Sequence, residues 1–181
     1  MHGLSPWLMS EETGEPFHHC IRCRLPLLEI DARWLVIKDY KHEECMMEYA
    51  ICEPCRNQTS AGFSEQSKAA VREFLATRID WDARVEDFMM DSTLESRFAC
   101  CIGCRTPREH MAGYGISALF DPTGDLIEGP LPLLICDKCT RDLVSRLAPA
   151  DLASWQDFIS SHFEGPPGDG DWPGQGYSGL L

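Results

Sequence analysis

Four Cys-x2-Cys pairs constrain this chain more than any other feature: Cys20/Cys23, Cys52/Cys55, Cys101/Cys104 and Cys136/Cys139. They recur in register. The first and third pairs lie 81 positions apart and the second and fourth 84, with spacers of 28 and 31 residues between the two pairs of each unit. The likeness extends past the thiols. "FHHCIRCR" from Phe17 aligns with "FACCIGCR" from Phe98, and Phe74 and Phe158 each stand 19 residues beyond the last cysteine of their unit. Self-similarity at such a period marks one unit present twice.

The compartment decides what thiols at this spacing do. The N-terminus, "MHGLSPWLMSEETGEPF", has neither a basic start nor the apolar core of a secretory signal. No stretch reaches the roughly 18 apolar residues of a membrane span, so a cytoplasmic location is expected. In a reducing compartment, repeated Cys-x2-Cys pairs serve as metal ligands more often than as disulfides. A lone thioredoxin-like pair is disfavoured by two pairs per unit. Zinc takes four soft ligands in a tetrahedron, and a Cys-x2-Cys turn presents two sulfurs to one ion. The candidate metal ligands are therefore Cys20, Cys23, Cys52 and Cys55 for one zinc, and Cys101, Cys104, Cys136 and Cys139 for a second.

Each unit has the same order of elements. Strand-like sequence follows the first pair: "RWLVIKDY" in the first unit, "GISALFDPTGDLIEG" in the second, where "DPTGD" reads as a hairpin turn. The second pair closes a short apolar run, Tyr49 to Ile51 or Leu131 to Ile135, and opens a helix. At a helix start, unpaired N–H groups and the positive end of the dipole favour thiolates. A further helix follows in both units. Ser64 can cap one whose Val71, Phe74 and Leu75 share a face, and Leu152, Trp155, Phe158 and Ile159 line the other. Asp80-Trp81-Asp82 with Val85, Phe88 and Met89 predicts a helix joining the units.

This pattern resembles the treble-clef zinc fingers, in which a knuckle, a β-hairpin and a helix contribute the ligands. It is similar to the N-terminal zinc-binding domain of the Clp unfoldase, whose ending resembles Ile135-Cys136-Asp137-Lys138-Cys139. The resemblance implies that Cys101 and Cys104 are knuckle ligands and that Cys136 and Cys139 are helix ligands, with Cys20, Cys23, Cys52 and Cys55 in the same roles less closely. It also implies a module that docks protein partners and often pairs with itself, so two copies could pair within one chain.

Other chemistries find less support. No phosphate-binding G-x4-G-K-[ST] loop follows the fingers. The zinc-deaminase pattern fails, because Pro54 stands between Cys52 and Cys55 and position 58 is glutamine. Four sulfurs would also leave a zinc no open position for water, so no enzyme is expected. Nucleic acid binding would draw on Arg56, Arg141 and Arg146 near the finger helices, but the formal charge is −13. Six basic and seven acidic side chains lie in Cys20–Phe63, and five and six in Cys101–Leu147. Neither finger is a basic patch of the kind phosphate contacts require.

Cys45 and Cys100 match no ligand position and are read as buried or incidental thiols; His18, His19 and His42 are read as surface or packing residues. Trp7-Leu8-Met9 and Phe88-Met89-Met90, again 81 apart, read as core anchors. "GPPGDGDWPGQGYSGLL" holds six glycines and three prolines and is expected to be disordered, with Trp172, Tyr177, Leu180 and Leu181 spaced as in a docking peptide. The expected architecture is α+β. Residues 1–80 form a first zinc-binding unit, 81–164 a second with its connecting helix, and 165–181 a tail. The expected function is a non-catalytic protein-interaction module or adaptor, with a nucleic-acid-associated regulator as the alternative.

Overall fold

The apolar run Trp34 to Ile37 becomes the middle of a sheet to which both halves contribute. The computed structural model describes residues 4–163 and Gly179. Strands β1 (Trp34–Lys41), β2 (Glu44–Cys52), β3 (Gly113–Phe120) and β4 (Leu133–Cys136) form one antiparallel sheet in the order β2-β1-β3-β4. β1 and β2 make a hairpin whose corner, His42 and Glu43, takes positive φ. The central pairing joins β1 to β3 from Trp34↔Phe120 to Lys41↔Gly113. Sequence patterning read the strands but not this junction, because a contact between residues some 80 positions apart leaves no local signal.

An aromatic pair closes each end of that junction. Trp34 stacks on Phe120 at 5.6 Å between ring centroids, and Tyr40 on Tyr114 at 5.0 Å. Between them on the same face lies Lys38, fully buried. Its ammonium donates to the Met9 carbonyl at 2.8 Å and to Glu11 at 3.2 Å, and sits 3.5 Å from Glu48. A buried charge is tolerated only with such partners. The N-terminal segment supplies them, with Leu8 1% exposed beneath it. The opposite face, carrying Ile37 and Tyr49, is covered by the last helix through Phe158 and Phe163.

Among the described residues six α-helices surround the sheet: α1 (Glu53–Ala61), α2 (Glu65–Arg78), α3 (Trp81–Met90), α4 (Leu94–Arg97), α5 (Asp137–Val144) and α6 (Pro149–His162). Ser64 caps α2 through the Ser67 amide, and Asp80 caps α3 through Ala83. Phe74, Trp155, Phe158 and Ile159 enter the core, as their spacing predicts. Asp151 at the start of α6 ties the halves together. One oxygen accepts from the Ser64 amide at 3.0 Å and from the hydroxyls of Ser64 and Ser67 at 2.6 and 2.5 Å.

α3 departs from expectation. Val85, Met89 and Met90 are exposed, so Phe88-Met89-Met90 is not the packed counterpart of Trp7-Leu8-Met9. The buried residue of this helix is Arg84, which donates to the carbonyls of Pro130, Arg97 and Pro132. Arg97 in turn donates to Gly129 and Arg84 carbonyls. Two guanidiniums thus hold the segment before β4 through backbone oxygens, a role that apolar periodicity cannot reveal. "DPTGD" does turn the chain, with Asp121 accepting from Thr123 and Asp125 amides. Beyond it Leu126 bridges back to Phe120 and Ile127 N–H donates to the Leu119 carbonyl at 2.8 Å before β4 pairs with β3. The tail expectation for 165–181 falls outside the described residues except at Gly179, which is buried.

Candidate metal centres

Two turns and two helix starts converge in each half. Cys20 and Cys23 lie in a tight turn closed by Arg24 N–H donating to the Cys20 carbonyl at 2.9 Å and by Cys20 N–H donating to Leu25 at 3.0 Å. Cys101 and Cys104 repeat it, with Arg105 to Cys101 at 3.0 Å and Cys101 to Thr106 at 2.9 Å. Arg24 and Arg105 both adopt left-handed backbone, with φ of 64° and 61°. Each turn is anchored to its sheet by a matching bond: Ile21 N–H to Ala50, and Ile102 N–H to Leu134, both 2.8 Å. The second cysteines come from the last residue of a strand and the next helix: Cys52 with Cys55 of α1, Cys136 with Cys139 of α5.

All eight predicted ligands are therefore brought together, four and four, and within each group the sulfurs lie within 4.8 Å of one another. Cys23 and Cys52 sulfurs are 3.9 Å apart, and Cys104 and Cys136 3.6 Å. A tetrahedron with Zn–S of about 2.3 Å has edges of about 3.8 Å. The cages fit that ion in ligand number, type and size. Backbone amides complete the surroundings: Cys52 N–H points at Cys20 Sγ, and Cys136 and Gly103 N–H at Cys101 Sγ, at 3.3–3.4 Å. Such donors offset part of the negative charge of a tetrathiolate site.

The thiols' acidities differ within each cage. Burial alone pushes Cys20 up, yet the amides of Cys52, Cys23 and Arg22 hold it down to about 7. Cys101 is held well below the usual thiol range because Cys136 and Cys139 donate to it. The donors move the other way: Cys136 rises to about 12 through its bond to Cys101, and Cys139 rises for the same reason. Cys52 and Cys55 are raised chiefly by burial. In each cage one thiol, Cys20 or Cys101, is thus lowered as a hydrogen-bond acceptor, while Cys52 and Cys55, or Cys136 and Cys139, are raised. Losing the remaining protons requires a positive charge at the centre.

Cys45 and Cys100 join neither cage among the described residues. Cys45 is half-buried, its sulfur 3.6 Å from the Met47 carbonyl, and burial pushes it up to about 12. His18 and His19 lie in the segment leading into the first turn, His19 in an isolated bridge to Pro26, and His42 at the hairpin corner, all outside the cages.

No family model matches the chain, and no curated protein or solved structure matches it either. The resemblance to the Clp zinc-binding domain accordingly has no match behind it, and what stands is two four-cysteine groups in a mixed α/β fold. Among the described residues no helix is long and apolar enough to cross a membrane.

Proposed function

We propose that the chain is a non-catalytic interaction module in which two structural zinc ions fix two treble-clef-like fingers, presenting protein-binding surfaces. The observation that carries this reading is the pair of cages. Each can saturate an ion with four sulfurs, leaving no position for a reacting water. An open cleft of about 810 Å³ lies beside the N-terminal segment. Its two carboxylates, Glu11 and Glu95, are both held below the usual range, by the Tyr40 hydroxyl and by Arg108 respectively. Neither is poised to exchange a proton near neutrality.

A protein partner suits the surface better than nucleic acid. Two zinc tetrathiolates of charge about −2 each would take the net from −13 to roughly −17. The arginines nearest the finger helices are already engaged: Arg141 with Asp137, Arg146 with Asp142, and Arg56 with the Gly179 carbonyl. The exposed face of α3 and the first knuckle instead offer Met89, Met90, Leu25 and Leu28, at 76, 87, 56 and 66% exposure. The test is affinity capture from the native cell with the intact chain and with Met89→Ser/Met90→Ser. A defined protein lost in the variant supports the module. Salt-sensitive retention on nucleic acid by both chains would replace it with the regulator reading.

A further inference from the structure

Where the end of α2, the start of α3 and the second knuckle meet, a cavity of about 190 Å³ is lined by three guanidiniums, those of Arg78, Arg84 and Arg105. Arg84 is the buried member at 3% exposure, while Arg78 and Arg105 are exposed. Nε and Nη2 of Arg84 are spent on the carbonyls of Pro130, Arg97 and Pro132. Its Nη1 makes no hydrogen bond, and the guanidinium forms no ion pair, among the described residues. Burial, with repulsion from the buried Arg97, holds the group down to about 10. Charges this deep in a protein are ordinarily paired with an opposite one. Arg84 carries its charge among neutral carbonyls, with one nitrogen left to meet whatever enters the cavity it lines.

The size and chemistry of the lining select the occupant. Sites that enclose a whole ligand run to roughly 300–1,000 Å³, so this one admits a single group. The two exposed guanidiniums spend one nitrogen each on a carboxylate, Arg78 on Asp142 and Arg105 on Asp87, and keep the rest of their donors. Asp80, which also lines the cavity, turns Oδ1 to the Ala83 amide at 3.0 Å as the cap of α3. A carboxylate ligand has two oxygens, too few for three forks. A terminal phosphoryl group has three and nearly a second negative charge, and guanidiniums match its geometry in pairs of bonds. A phosphodiester carries one charge and continues on both sides, which a small recess does not accommodate. We infer that Arg78, Arg84 and Arg105 form a binding site for a phosphoryl group, carried by a phosphate monoester or by free phosphate. Ile102 and Gly103 of the second knuckle share the lining, so the occupant joins α3 to the scaffold of the second cage. The inference goes beyond the interaction-module reading and does not require it.

The test is isothermal titration of the full-length zinc-loaded protein, at constant ionic strength, with inorganic phosphate, with a blocked phosphoserine and with the same serine unphosphorylated. One phosphoryl group binds per chain, and the unphosphorylated serine does not bind. Arg84→Met also strips a donor from three carbonyls, so the decisive variant is Arg78→Gln/Arg105→Gln. Both side chains are exposed and each makes one surface ion pair, which contributes little to stability. This variant keeps the wild-type circular dichroism and binds at least about tenfold more weakly. Arg33→Gln/Arg72→Gln removes the same charge from exposed residues elsewhere and leaves the affinity unchanged. Tighter binding of the phosphoserine than of inorganic phosphate supports the site with a modified protein as its source, and the reverse supports it with the free ion. No saturable binding at millimolar phosphate overturns the site. So does equal affinity in wild type and Arg78→Gln/Arg105→Gln, or equal weakening in the two double variants.

Discussion

Replacing Cys139 with serine removes one of four sulfurs from the second cage and tests both its chemistry and its connection to the rest of the molecule. Cys139 is the third residue of α5, and its amide donates to Cys136 Sγ at 3.4 Å. Its sulfur also lies 3.3 Å from where a Cβ on Gly103 would be, beside the Phe74 ring of α2. Structural zinc sites supply about 10–16 kcal/mol of apparent folding free energy, so one ligand in four is worth roughly 3 kcal/mol. At about 2–4 °C per kcal/mol for a chain of this size, the melting temperature should fall by about 6–12 °C. The loss is not confined to the second half, because β3 shares eight register pairs with β1. Calorimetry on the zinc-loaded variant should show a single transition at lower temperature, and elemental analysis after dialysis against a chelator should show zinc falling from two to one per chain, because the three-sulfur cage holds its ion more weakly. Retention of both ions with an unchanged melting temperature would refute the ligand assignment and the reasoning from it.

Further expectations follow from the same contacts. Cys45→Ser and Cys100→Ser should each keep two zinc ions per chain by elemental analysis, since neither thiol joins a cage. Arg84→Met should cost about 2–4 kcal/mol in urea titration, because three carbonyls lose their donor in a buried setting. The Asp151 carboxyl is held below its usual range by the Ser64 and Ser67 hydroxyls. A depressed folded pKa stabilises above the unfolded value of about 3.9 and is lost as pH falls through the folded one. The stability gap between wild type and Asp151→Asn should therefore be full at neutral pH and shrink progressively below about pH 4.

The metal cages were legible because their information is local. A two-residue spacing makes a turn that points two sulfurs one way, and its recurrence 81 and 84 positions later marks the partners. The helix cap at Ser64, the start of α3 at Asp80-Trp81-Asp82, and the buried stripes of α2 and α6 were legible for the same reason. The junction of β1 with β3 was not, since register between distant strands is set by stacked aromatics and by Lys38, whose meaning depends on Glu11 and Glu48 lying opposite. α3 misled because Val85, Phe88 and Met89 read as a core stripe. The helix instead buries Arg84, whose donors find carbonyls that only the folded chain brings near.

Zinc K-edge absorption on protein purified without added metal, combined with ion counting, bears most directly on the cages. Two zinc ions per chain, each surrounded by four sulfurs at about 2.3 Å, is the result these cages require. Fewer than one ion per chain, nitrogen or oxygen in the coordination shell, or sulfurs joined pairwise as disulfides would contradict it.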